Sequence, residues 1–199
     1  SDLLHRGIND MFILYAVMIG IILGYAAKGR LKNIASKPLR WKYLPLAALL
    51  VQLVIFSDLS VVKDMPSIIT AALHIASYAC LLIFAVKNIR NAGIAMIGSG
   101  IFLNSLVIFL NDGFMPTSPE NLKSTSVGSS ADLIAGGEAV NNSIKLTAET
   151  ALPWLGDIFR MPSWMPLSNV FSIGDVLIAA GICVYLVISM RPIRKTQSE

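Results

Sequence analysis

Two aspartates bracket the longest polar stretch of the chain. Asp112 leaves one apolar run and Asp175 enters the next. Carboxylates at the neighbouring ends of two helices can share a proton, one then serving as base toward water and the other as acid toward a leaving group. Asp112 and Asp175 are therefore the candidate catalytic residues. Asp175 also has a purely structural explanation, because Ser172-x-x-Asp175 ahead of an apolar run has the spacing of a capping box. A helix start carries free N–H groups and a positive dipole end, and both favour a carboxylate there.

A second group of polar residues lies inside apolar runs, where each is costly unless paired or facing water. His74 and Asn104 sit at similar depth, roughly 10 Å from the same end of their helices at ~1.5 Å per residue. Gln52 lies slightly deeper, and Tyr78 is one turn below His74 on the same helix face. Gln52, His74, Tyr78 and Asn104 are the candidate ligand-binding residues. The alternative is an interhelical hydrogen-bond network that fixes packing, worth roughly 0.6 to 2 kcal/mol per bond. A single histidine with no second histidine or acid at ligand spacing speaks against a metal or haem, so no metal and no cofactor is expected. Cys80 and Cys183 both fall in apolar runs and read as small buried hydrophobes.

The elements that must position these groups follow from composition. Hydrophobic residues make up 55% of the chain and charged residues 14%, and the mean hydropathy is +0.68. A soluble domain of 199 residues could not carry that without exposing apolar surface. Five apolar segments, 11–27, 44–61, 66–86, 92–110 and 172–190, each approach the ~20 residues that cross a ~30 Å hydrocarbon core. They are continuous rather than alternating, which selects helices over strands. The expected fold is all-α, a polytopic membrane helix bundle with five transmembrane helices and a long extracytoplasmic loop between helices 4 and 5.

Charge orients the bundle. The stretches 28–42, 87–90 and 191–199 alternate with the others and share one side, which holds 11 of the 16 basic residues and 1 of the 12 acids. By the positive-inside rule the N-terminus is outside, the C-terminus cytoplasmic and the 111–171 loop extracytoplasmic. The basic excess flanks apolar runs, so its partner is the lipid headgroup rather than nucleic acid. The organisation expected is a leader or added segment at 1–10 ahead of Met11, four spans in 11–110, the loop with an interfacial segment at 111–171, a fifth span at 172–190 and a cytoplasmic tail at 191–199.

Within the loop, residues 124–143 are rich in Ser, Gly and Asn, and Leu133 to Val140 can form a short amphipathic helix. The second half alternates Leu152, Trp154, Leu155, Ile158, Phe159, Trp164 and Met165 with Pro153, Pro162 and Pro166. That pattern suits a segment lying in the outer headgroup layer or packed over the bundle. Gly20 and Gly24 form a Gly-x-x-x-Gly pair, and Gly93, Gly98, Ser99 and Gly100 lighten the fourth segment, permitting close helix approach.

Two resemblances bear on function. Phe171-Ser172-Ile173-Gly174-Asp175 ahead of a span resembles the last motif of lipoprotein signal peptidase, Phe-Asn-x-Ala-Asp, with Ser172 and Gly174 in place of Asn and Ala. The other half of that family's pattern, Asn-x-x-Asp-Arg, is absent around Asn104 and Asp112. The resemblance implies an aspartyl-type membrane hydrolase. A broader one rests on Gly29-Arg30-Leu31, on Asn111-Asp112-Gly113-Phe114-Met115-Pro116 with Ser118-Pro119-Glu120, on Leu155-Gly156-Asp157, and on Asn169 to Asp175. It covers nearly the whole chain from Met11 and is similar to a family of small integral-membrane proteins from Gram-positive, often clostridial, bacteria, a domain of unknown function. That resemblance implies fold and location and assigns no catalytic residue. The expected function is that of a plasma-membrane binding or interaction protein using the loop and the outer half of the bundle, with membrane lipids and a membrane protein as partners. A hydrolase and a small-solute transporter are the alternatives.

Overall fold

The computed structural model describes residues 11–55, 67–126, 128–138 and 143–192. Among them are seven α-helices and four short strands, so the chain is mostly helical. Five helices are long: α1 (Met11–Ala26), α2 (Leu44–Ile55), α3 (Ser67–Lys87), α4 (Ala92–Leu110) and α7 (Ile173–Met190). They stand where the hydropathy pattern places them, although residues 56–61, expected to complete α2, lie outside the described residues. Two of these helices, α4 and α7, are long and apolar enough to cross a membrane. The apolar stretches described in the other three are shorter, at Phe12–Ala26, Leu44–Val54 and Ile75–Lys87.

The last of the described helices, α7, is the centre of the packing, with α1 against it on one side and α4 on the other. Glycines make both approaches possible. A Cβ at Gly20 would press on Leu186 and Cys183, and one at Gly24 would overlap the Met190 side chain. The Gly-x-x-x-Gly pair of α1 is thus used inside the molecule. On the other side, Gly93 and Gly100 of α4 are spaced seven residues apart, as are Gly174 and Gly181 of α7. A Cβ at Gly93 would meet the Tyr185 backbone, one at Gly181 the Gly93 carbonyl and Ile97 amide, and one at Gly100 the Gly174 carbonyl. Two helices running in opposite directions therefore touch backbone to backbone along about two turns of α4. The hairpin of α2 and α3 joins this core through α3 and α4.

The two ends of the bundle differ in chemistry. At one end Arg30 donates its backbone N–H to Met190 O at 2.8 Å, and Asn33 Nδ2 reaches the same carbonyl at 2.7 Å. Asn88, buried after α3, accepts from the Arg40 N–H at 2.9 Å and donates to Arg40 O at 2.8 Å. These bonds hold the basic stretch 28–42 against the C-terminal ends of α3 and α7.

At the other end, the described residues of 111–171 form a layer over the helices. Strand β1 (Met115–Thr117) pairs in parallel with β2 (Ser143–Lys145), and β3 (Phe159–Arg160) pairs antiparallel with β4 (Val170–Phe171). Helix α5 (Pro119–Lys123) is capped by Ser118, whose side chain accepts from the Asn121 N–H. Helix α6 (Ala131–Ala135) stands in place of the helix expected over Leu133 to Val140. The shift follows from packing: Leu122, Ala131, Ile134 and Val170 form a buried cluster, which anchors the earlier residues Ala131 and Ile134. The layer is tied down by Asn111, which donates to Val107 O and Ala151 O and accepts from the Ala151 N–H at 3.0 Å. Met115 and Leu155 also bury against Val107 and Ile108 of α4.

A methyl group at the α4–α7 contact tests this arrangement. Gly100→Ala should lower the thermal midpoint in detergent, corresponding to roughly 1–3 kcal/mol of overpacking. Gly100→Ala combined with Gly174→Ala should cost less than the sum of the two, because both push the same helices apart. Additive losses would mean that the two glycines do not share a contact.

Candidate functional site

The loop end of α4 and α7 carries the polar site. Ser172 is the N-cap of α7, and both halves of the capping box are present: its hydroxyl accepts from the Asp175 N–H at 3.0 Å, and its own N–H donates to Asp175 Oδ2 at 2.9 Å. The cap is not all that Asp175 does. Asn104 Nδ2, from α4, donates to Asp175 Oδ1 at 2.8 Å. The Ser172 hydroxyl hydrogen faces two acceptors, Asn104 Oδ1 and Asp175 Oδ2, each at 2.9 Å. A Cβ at position 174 would collide with the Asn104 amide, so Gly174 is what lets Asn104 reach across.

Beside this knot lies a cavity of about 240 Å³. Its polar lining is Gln52, Tyr78, Asn104, Asp157, Asn169 and Asp175, and its apolar lining includes Phe12, Ile108 and Ile178. The structure thus brings three of the candidate ligand-binding residues, Gln52, Tyr78 and Asn104, to one space. Asn104 is buried between helices at 8% exposure. Gln52 Nε2 also donates to Ser77 Oγ at 3.1 Å, linking α2 to α3. The His74 side chain lies outside the described residues.

The acid that accompanies Asp175 in the cavity is Asp157. Its backbone is set by the loop: the Asp157 N–H donates to Pro116 O at 2.9 Å, and Asp157 O accepts from the Ser118 N–H at 3.1 Å, placing it at the edge of β1. Gly156 permits that seat, since a Cβ there would press on Pro116 O. Among the described residues, no protein group donates a hydrogen bond to the Asp157 carboxylate. Burial first, and the nearby Asp175 second, push its pKa well above the usual carboxylate range. Asp175 accepts hydrogen bonds from Asn104 and Ser172, whereas burial and the neighbouring acid favour the neutral form of Asp157.

Asp112 is placed elsewhere. It is an exposed residue with φ of 57° in the turn that closes α4, and it lines a different cavity with Gly113, Tyr78 and Phe109. The hydrogen bonds of Asp175 go to Asn104 and Ser172 and none to Asp112. Sequence reasoning missed Asp157, although one signal was there to read. It is the only acid between Glu149 and Asp175, in a stretch otherwise dominated by apolar and aromatic residues.

The titration of Asp157 has a consequence for stability. Its carboxyl stays neutral to a higher pH in the folded chain than in the unfolded one, so between those two pKa values the folded chain binds more protons. Stability therefore falls as pH rises through that window. The thermal midpoint of the purified protein should drop across the window, and Asp157→Asn should flatten the drop. Equal slopes for the two proteins would place the proton elsewhere.

Comparison with known proteins adds one finding. A family model described as a family of unknown function (DUF5317) matches residues 36–187, from the basic stretch before α2 to within three residues of the end of α7. No curated protein and no solved structure matches the chain. The matched span takes in all of the cavity lining named above except Phe12. With about three quarters of its length matched, the chain belongs to DUF5317, a family of unknown function.

Proposed function

We propose that this is a five-span plasma-membrane protein, N-terminus outside and C-terminus cytoplasmic, that binds a ligand in the cavity roofed by its external loop. The observation that carries the reading is the cavity itself, where Asp157, its pKa pushed up, and the hydrogen-bonded Asp175 line one space at the loop end of the bundle. Several features support the membrane setting. Large apolar side chains point outward along the helices, among them Ile22 at 64% and Phe109 at 69% exposure, a surface that a water-soluble monomer rarely presents. Exposed aromatic residues gather at both ends, Trp41 and Tyr43 beside the basic stretch and Trp154 and Trp164 in the loop layer, as at the two interfaces of a bilayer. Membrane lipids are then the immediate surroundings of every long helix. The cavity between α3 and α4 nearer the basic end is lined almost wholly by apolar side chains, with Ser99 the exception, which favours binding over a polar path through the bundle.

A second reading, an aspartyl-type hydrolase, draws on the same pair, with Asp157 as acid and Asp175 as base in the cavity. It requires the two carboxyl groups to act on one bridging water. Under it, Asp157→Asn and Asp175→Asn each abolish turnover of a membrane substrate without adding to one another, while both proteins still fold. Asp112→Asn decides whether that residue belongs to the machinery. Retained turnover in the Asp157 and Asp175 variants would remove this reading.

The binding reading is tested by labelling. In a Cys80→Ala, Cys183→Ala background, a cysteine at Ser124 should react in intact cells with a membrane-impermeant maleimide, and one at Lys32 should not. Asp157→Cys should react with a small charged methanethiosulfonate added outside. Reaction at Lys32 alone would reverse the orientation, and an inert Asp157→Cys would close the cavity to the outside.

A further inference from the structure

The acid-lined cavity shares part of its wall with another. Tyr78 and Ile108 line it and also line a second, larger cavity of about 460 Å³. That space is apolar and lies between α3 and α4, bounded by residues such as Ile75, Ala79, Leu82, Phe102 and Leu106. Leu82 and Phe102 in turn border a third cavity of about 340 Å³, which reaches Ile89 and Ala95. The polar cavity at the loop end thus borders an apolar groove that follows α3 from Tyr78 to Ile89, about 17 Å at ~1.5 Å per residue. A polar head joined to a long alkyl chain has this shape.

Charge selects the head. The two carboxyl groups in the polar cavity are Asp157 from the loop and Asp175 from α7. Among the described residues, Tyr78 of α3 is the other titratable group lining that cavity, and Asp112 lines the apolar one. From α1 come Phe12 and Ile13, from α2 Gln52 and from α4 Ile101, Asn104 and Ile108, none of them ionisable. Among the described residues, no lysine or arginine lines either space. An anionic head would meet two acids with no lysine or arginine beside them among the described residues, and no cluster of three His, Cys, Asp or Glu exists among those residues. A single ammonium group matches one carboxylate, with Asn104, Gln52 and Tyr78 as hydrogen-bonding neighbours and the aromatic faces of Phe12 and Tyr78 nearby. Resting on the binding reading above, we infer that the ligand is an amphiphilic amine, its ammonium head between Asp157 and Asp175 and its alkyl chain in the groove between α3 and α4.

The proton balance follows. Burial and the nearby Asp175 push the Asp157 pKa up in the free site and an adjacent ammonium pulls it down, so binding releases protons wherever the free carboxyl is still protonated. Affinity rises with pH until Asp157 is ionised in the free protein as well.

The experiment uses the full-length protein in maltoside detergent and three probes, dodecylamine, dodecanol and butylamine, with binding read by titration calorimetry and by proton release in weak buffer. Dodecylamine should bind at least tenfold more tightly than either of the other two, release a proton, and bind more tightly as pH rises. Asp157→Asn should remove most of the preference for dodecylamine over dodecanol and abolish proton release. Ala79→Phe, at an exposed groove position, should weaken dodecylamine and leave butylamine unchanged. Dodecanol binding as tightly as dodecylamine, an unaltered Asp157→Asn, or no binding of dodecylamine at all would each overturn the inference. Labelling of Asp157→Cys separates the two levels: a reactive cavity that ignores dodecylamine removes the amphiphilic amine alone, and an unreactive one removes the binding reading with it.

Discussion

The hydrogen bond from Asn104 Nδ2 to Asp175 Oδ1 is the interaction on which the loop end of this protein depends. It crosses from α4 to α7, and it forms because the helices meet without side chains between them at Gly100 and Gly174. An amide reaches only a few ångströms, so a single methyl group at this crossing would part the two groups. In return, the bond turns a local helix cap into a tertiary joint. Ser172 and Asp175 would cap α7 in isolation; with Asn104 added, the start of α7 is fixed to one height along α4.

That joint sets the floor of the cavity, and the loop layer supplies its roof. Asn111 anchors the layer at the end of α4, Met115 and Leu155 bury against Val107 and Ile108, and the edge of β1 carries Asp157. Two carboxyl groups thus arrive from opposite directions with different surroundings. Asp175 is met by an amide, a hydroxyl and a backbone N–H, while Asp157 is met by burial and a neighbouring acid. Their unlike surroundings separate the two acids chemically, as when one of two carboxyl groups in a shared site keeps its proton.

The position of α7 explains why so much rests on a C-terminal element. It is the last of the described helices and the one against which α1 and α4 both pack, and its two ends serve different purposes. One end receives Arg30 and Asn33 at the Met190 carbonyl, and the other presents the capped acid to the cavity. Glycines of α4 and α7 bring the two backbones together on one side, while on the other Leu186 and Met190 of α7 fill the space left by Gly20 and Gly24 of α1. Much of the bulk of the helices is directed outward instead.

The sequence by itself determined what depends on local order along the chain. Continuous apolar runs specify the positions of the five long helices, and Ser172-x-x-Asp175 specifies the cap of α7. Alternating basic and acidic stretches specify that 28–42 and the loop belong to different ends, because charge sits where it is solvated whatever the helix packing. Depth could also be counted, so Gln52, Tyr78 and Asn104 could be placed at similar heights before their contacts were known. Which acids meet was another matter. Asp112 and Asp175 looked paired because each adjoins an apolar run, but adjacency in sequence says nothing about the direction in which a turn sends its side chain, and the left-handed turn at Asp112 leaves that residue exposed in another cavity. Asp157 lies 45 residues beyond Asp112 in the chain. It reaches the site only through its bridge to β1, and no local pattern encodes a contact of that kind. The same holds for α6, drawn to Ala131–Ala135 by the cluster of Leu122, Ile134 and Val170, and for the bordering of the polar cavity on the apolar groove at Tyr78 and Ile108. Only tertiary structure decided these, because each depends on surfaces from distant parts of the chain closing on one another.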